Sequence, residues 1–244
     1  MSLNVKDHLL AKIADARIVP DPFPHVVIEQ VFPPEFYQSI QDNLLSDDAY
    51  TPLVETGRVT ENYNRNRLCF MGGGDATSAA TPQALFWNEL FAIFMDRGFM
   101  GAWLRRFESV IRQRLTTDLP EVRGDKLMLY PEVFLMRDKN SFLLTPHMDA
   151  RKKAVTALFY LPRSDDRPSL GTSLYRIRNR ADVSEMGTQF AREDFDLVKT
   201  IPYRPNTMLA FANSSGAFHG LEPLAGVAGG RDVLIYDVKF LGVD

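Results

Sequence analysis

SFLLTPHMDARKKAVTALFYLP, residues 141–162, consists of two short apolar runs rich in β-branched and aromatic residues, parted by a polar turn. Runs of this length and composition, bounded by turn residues, form strands. The pattern recurs around it, in LMLYPEVFLM at 127–136, LGTSLYRI at 170–177, DLVKTIP at 196–202, TMLAFAN at 207–213 and DVLIYDVKF at 232–240. Upstream of Pro120 the texture changes. Residues 5–16 place Leu9, Leu10, Ile13 and Ala16 at helical spacing, HVVIEQVF at 25–32 reads as a strand, and PPEFYQSIQDNLL at 33–45 reads as a helix opened by proline. Residues 82–115 read as two helices parted near Gly98 and Gly101, and the polar stretch 48–80 reads as loop, with the glycines at 72–74 as a turn. Helices first and seven or eight strands after them predict an α+β, mainly β protein, a helix-backed sandwich or barrel.

At 244 residues, with 45% hydrophobic and 24% charged residues, the chain fits a single domain with a sizeable core. A formal charge of -3 supplies no field for nucleic acid or an anionic membrane. The lone Cys69 excludes an intramolecular disulfide and reads as a small buried hydrophobe. The first 21 residues, interrupted by charge, read neither as a signal peptide nor as a span. A cytoplasmic protein is expected.

Of the four histidines, His147 and His219 fall in the β half. His147 and Asp149 are one residue apart, so a strand continuing through TPHMDA would project both from one face. Two imidazoles and one carboxylate on one face of an octahedron leave positions open for a chelating cosubstrate and dioxygen. Zinc hydrolases use the same donor types with a water and a separate base, so the ligand set alone leaves both chemistries open. A His-x-Asp tripeptide arises often by chance.

Three longer segments narrow the choice: PHMDARKKAVTALFYLP at 146–162, LGTSLYRI at 170–177, and IPYRPNTMLAFANSSGAFHGLEPLAGVAGGRDVLIYDVKF at 201–240. In order and spacing they resemble the 2-oxoglutarate and Fe(II)-dependent oxygenase superfamily, in its prolyl-hydroxylase-like branch. The resemblance implies a double-stranded β-helix (jelly roll, cupin-like) core over 127–240, supported by a mostly helical region over 1–120. It implies iron held by His147, Asp149 and His219, and 2-oxoglutarate gripped at its far carboxylate by Arg231 with a hydrogen bond from Tyr160. Dioxygen is then the oxidant, succinate and carbon dioxide are products, and ascorbate is an accessory reductant. An arginine fork suits that carboxylate better than lysine would.

Two departures stand out. Val233 occupies a position where many members carry a hydroxyl residue, and MRDKN at 136–140 replaces the usual Tyr-x-x-Gly, leaving Leu129, Phe134 and Arg137 as candidates to steady the cosubstrate. Substrate choice is expected from the loops 48–80 and 177–196. Arg65, Arg67, Arg176, Arg178 and Arg180 are candidate contacts for an acidic substrate, though a solvated charged face is the simpler reading. His25 reads as structural. The alternative function is a cupin-like metal-binding hydrolase or binding module using the same triad without 2-oxoglutarate. The substrate itself, expected to be a protein, peptide or amino-acid-like molecule, is not written in these motifs, nor is the oligomeric state.

Overall fold

A computed structural model describes residues 2–72, 81–122, 127–164, 167–178, 189–223 and 230–243. The first half carries α1 (Ser2–Asp15), β1 (His25–Glu29), α2 (Pro34–Asp42), β2 (Thr51–Pro52), β3 (Arg67–Phe70), α3 (Pro82–Phe94), α4 (Arg97–Arg106) and α5 (Glu108–Thr117). The second half carries β4 (Leu129–Asp138), β5 (Leu144–His147), β6 (Lys153–Tyr160), β7 (Thr172–Ile177), β8 (Phe195–Ile201), β9 (Thr207–Ala212), β10 (His219–Leu221) and β11 (Arg231–Phe240). These form a seven-stranded sheet ordered β1-β9-β6-β11-β4-β3-β2 and a four-stranded sheet ordered β5-β10-β7-β8. All pairings are antiparallel. The fold is therefore mainly antiparallel β with helical support, as the sequence predicts. Among the described residues, no helix is long and apolar enough to cross a membrane.

The large sheet is covered on both faces, so its central strand β11 is buried along its whole length. Alternation survives inside that continuous apolar run: Leu234, Tyr236 and Val238 join the core shared with the helices, while Val233 and Ile235 join the core shared with the smaller sheet. Phe94 of α3 seals the helical layer, packing on Phe159 of β6 at 5.2 Å and on Tyr236 of β11 at 5.8 Å between ring centroids. Trp87 is fully buried and donates its indole N–H to the Asn43 carbonyl at 2.8 Å, tying α3 to the end of α2.

Two expectations are corrected. Residues 82–115 belong to three helices: Asp96, not the glycines, opens α4, its carboxylate accepting from the N–H groups of Gly98 and Phe99 at 2.7 and 3.1 Å as an N-cap, and the chain breaks again at Phe107, between α4 and α5. The stretch 48–80 is not all loop, since RLCF forms β3 and extends the large sheet by pairing Arg67 to Phe70 against Asp138 to Leu135. Four residues headed by an arginine carry too little alternation to announce a strand; β3 is stabilised by the open edge of β4. Cys69 on it is buried, as expected. Gly73 and Gly74 of the expected turn lie outside the described residues.

Phe94→Ala should cost about 3–5 kcal/mol of stability by urea unfolding, because it opens a cavity between the helices and the sheet. Leu85→Ala, on the 53% exposed Leu85 of the same helix, should stay within about 0.5 kcal/mol of the parent.

Candidate metal centre and adjoining cavity

β5 and β10 pair so that His147 stands directly opposite His219, with ring centroids 4.3 Å apart. That approach requires glycine next to His219: a Cβ on Gly220 would lie 2.5 Å from the Leu144 carbonyl oxygen. Asp149 reaches the same point by a different route from the one expected. β5 ends at His147, so Asp149 sits in the connection to β6, and residues of β6 aim its carboxylate. Thr156 Oγ1 donates to Asp149 Oδ2 at 2.6 Å, and Lys153 Nζ approaches Oδ1 at 3.1 Å. One donor atom from each of His147, Asp149 and His219 falls within 4.8 Å of the others.

Hydrogen bonding decides which imidazole nitrogens face the centre. His147 Nδ1 lies 3.0 Å from the Thr145 carbonyl oxygen, and His219 Nδ1 lies 3.0 Å from that of Ala217. A carbonyl only accepts, so each Nδ1 carries the proton and each Nε2 keeps a lone pair. Burial keeps both rings neutral: it lowers the pKa of His219, and with the neighbouring His219 it brings that of His147 down to about 3. Burial alone would raise the Asp149 carboxyl, but the Lys153 ammonium, the two histidines and the Thr156 hydroxyl together outweigh it and hold Asp149 well below the ordinary carboxylate range. Two neutral imidazoles oriented by backbone carbonyls, plus one ionised carboxylate, fit a divalent transition metal.

Lys153, Thr156 and Asp237 complete the surroundings and were not apparent in the sequence. Asp237 on β11 lies opposite Thr156 on β6, with its Oδ1 3.0 Å from the same hydroxyl whose single proton goes to Asp149, and pairs with Lys153 at 3.1 Å. Only cross-strand register brings these residues together, and no local motif marks them.

Arg231 and Tyr160 are together, but apart from the triad. Both are buried, and the Arg231 guanidinium lies 5.6 Å from the centre of the Tyr160 ring and 5.3 Å from that of Tyr203. Arg231 Nε donates to the Leu170 carbonyl at 2.6 Å, Nη1 pairs with Asp138 at 3.0 Å, and the Tyr160 hydroxyl donates to Thr172 Oγ1 at 2.8 Å. Arg67 pairs with the other oxygen of Asp138 at 2.9 Å, so one fully buried carboxylate serves two guanidiniums. A cavity of about 730 Å³ opens beside His147 and Asp149 and is lined by Arg67, Phe134 and Met136 among others. Arg231 and Tyr160 lie outside that lining.

The other candidates divide. Phe134 faces the cavity, whereas Arg137, one step out of phase on β4, points to the opposite face and pairs with Asp232 at 2.7 Å and Asp47 at 2.8 Å. Leu129 packs against the helical core. Arg65, Arg176 and Arg178 make exposed ion pairs with Glu55, Asp21 and Asp196, the solvated face that the simpler reading expects. Arg180 lies outside the described residues, as do 179–188 of the second loop. His25 is fully buried, with Nδ1 2.7 Å from the Phe23 carbonyl oxygen, and is structural.

No family model matches the chain, and neither does any curated protein. Solved structures do. Prolyl 4-hydroxylase from Phytophthora capsici aligns with a TM-score of 0.50 at 15% identity, over 97% of this chain and 65% of that one. A prolyl hydroxylase from Trichoplax adhaerens, in complex with a hypoxia inducible factor oxygen degradation domain peptide fragment, aligns with a TM-score of 0.46 at 12% identity, over 96% of this chain and 88% of that one. HygX from Streptomyces hygroscopicus, with nickel, 2-oxoglutarate and hygromycin B bound, gives 0.43 at 14% identity, over 89% and 83%. The Phytophthora match places this chain with the prolyl 4-hydroxylases in fold, the likeness that the motifs lead one to expect.

Folded His147 titrates near 3 and an unfolded histidine near 6.5, so below pH 6.5 the unfolded chain binds more protons and stability falls. For the metal-free protein, urea unfolding should show a loss on the order of 2–3 kcal/mol from this residue between pH 7 and pH 4. His147→Gln, which cannot take the proton, should flatten that part of the slope.

Proposed function

We propose that the chain is a 2-oxoglutarate- and Fe(II)-dependent dioxygenase that hydroxylates a C–H bond of a protein, peptide or amino-acid-like substrate, releasing succinate and carbon dioxide. The carrying observation is the triad itself: two imidazoles whose Nε2 lone pairs are freed by Nδ1 hydrogen bonds, converging with a buried carboxylate. In this reading the two sheets are the walls of a double-stranded β-helix, 1–120 is its support, and the whole is one domain.

His147, Asp149 and His219 would hold the iron, which when bound supplies the dioxygen and electron-transfer chemistry that side chains lack. Thr156 and Lys153 keep the Asp149 carboxylate oriented and ionised. Asp138 can neutralise only one of Arg67 and Arg231, so among the described residues this buried cluster carries an uncompensated positive charge suited to the far carboxylate of 2-oxoglutarate. Tyr160 and Tyr203, stacked at the guanidinium, exclude water from it.

One observation favours the alternative, a cupin-like hydrolase or binding module without 2-oxoglutarate: Arg231 already has a carboxylate partner and lies outside the cavity lining. Anaerobic titration with Fe(II) and then 2-oxoglutarate, followed by a succinate-release screen over peptides, amino acids and metabolites with and without ascorbate, separates the two. A metal-dependent 2-oxoglutarate signal is expected, and its absence sinks the oxygenase reading. His219→Ala should abolish both metal binding and succinate release. Arg231→Ala should raise the KM for 2-oxoglutarate by roughly 10- to 100-fold, with Arg231→Lys in between; an unchanged KM would favour the alternative.

A further inference from the structure

The outer part of the cavity carries more positive charge than its own acids can balance. Arg58, Arg67, Lys152, Lys153 and Lys239 line it, against Glu132, Asp149 and Asp237. The ion pairs partition these groups. Lys153 is shared by the two carboxylates of Asp149 and Asp237, which leaves one negative charge beside it, and Arg67 is engaged by Asp138, so the surplus is a single positive charge. That leaves Arg58 and Lys239, which converge on the single carboxylate of Glu132, and Lys152, which has no ion pair among the described residues. Burial alone would raise the Glu132 carboxyl, but the two cations outweigh it and hold it below its ordinary value, so Glu132 is a full anion and still covers only one of them.

The placement of these groups is specific. Lys239 lies two residues along β11 from Asp237, which touches Thr156 and, through it, Asp149. At strand rise that is about 7 Å along the strand from Asp237. The Arg58 guanidinium rests 5.3 Å from the centre of the Phe134 ring on the cavity wall, with its side chain 27% exposed, while the Lys239 side chain is only 7% exposed. Partly desolvated cations fixed on an aromatic wall attract an anion far more strongly than solvated surface lysines do.

We infer that Arg58, Lys239 and Lys152 form an oxyanion subsite, and that the substrate carries a carboxylate or phosphate a few bonds from the C–H group presented to the triad. This rests on the oxygenase reading for the role of the triad, but the subsite itself stands on the cavity's charges. A cationic substrate is disfavoured by the same charges.

Calorimetric titration tests it, using metal-loaded protein under nitrogen with saturating 2-oxoglutarate. The probes are N-acetyl-glutamate, inorganic phosphate and a Glu-rich octapeptide, with N-acetyl-glutamine and a Lys-rich octapeptide as controls. Acidic probes should bind at least about tenfold more tightly than the neutral and basic ones, and more weakly as sodium chloride is raised. The free acid, phosphate and peptide arms show which bearer of the oxyanion fits. Arg58→Gln and Lys152→Gln should each weaken acidic probes by roughly 5- to 30-fold, and Arg58→Lys, which keeps the charge, should recover most of that loss. Binding indifferent to probe charge, no loss in either Gln variant, or equal loss in Arg58→Lys and Arg58→Gln overturns the proposal. Because 2-oxoglutarate binding is read in the same protein, the outcomes separate: 2-oxoglutarate binding without preference for acids removes the subsite alone, and preference for acids without 2-oxoglutarate binding removes the oxygenase reading alone.

Discussion

His147 meets His219 because β10 lies tight against β5, and β10 can do so because Gly220 has no side chain to strike the Leu144 carbonyl. Everything around the centre is arranged about that contact. The smaller sheet supplies the two imidazoles, and the larger sheet, through β6 and β11, supplies the groups that aim Asp149. Helices pack on the far face of the larger sheet, so the strands that carry Thr156 and Asp237 are backed by a solid aromatic layer including Phe94, Phe159 and Tyr236. Rigid β scaffolding on both sides suits a site whose ligands come from two separate stretches of chain.

Charge in the space between the sheets follows from the same geometry. Asp138 and Glu132 are each shared by two cations, whereas Asp149 and Asp237 share the single cation of Lys153. A buried ion pair is a poor source of stability, because desolvation consumes most of the Coulomb attraction. A cluster left with spare positive charge is poorer still. Such arrangements persist where an anion completes them, which is how the interior of this fold connects to the cosubstrate and substrate readings.

The sequence disclosed those parts of the molecule that local pattern encodes. The strands of the second half, the proline-opened α2 and the His-x-Asp spacing all follow from runs of adjacent residues. The resemblance carried by 146–162 and 201–240 added His219, Arg231 and Tyr160, residues that spacing alone would not have joined. Features assembled by register stayed hidden: β3 exists as a strand only between β4 and β2, and Lys153, Thr156 and Asp237 converge only once β6 and β11 are aligned. Arg137 and Asp138 show the limit of counting along a strand, since a one-residue change of phase puts the first on the helical side and the second in the interior. Asp96 shows the same limit for helices, where a single capping carboxylate redefined the boundary that two glycines suggested.

The Nδ1 hydrogen bonds to Thr145 and Ala217, and the Lys153 ammonium beside Asp149, are all supplied by the chain itself. These groups turn both rings and balance the carboxylate with a protein cation, so the orientation of all three donors is written into the fold. Small zinc domains behave oppositely, since their chains collapse only when the ion arrives. Here the donors sit outside the two large hydrophobic cores and are aimed by backbone carbonyls and a lysine, so a metal would meet ligands already oriented.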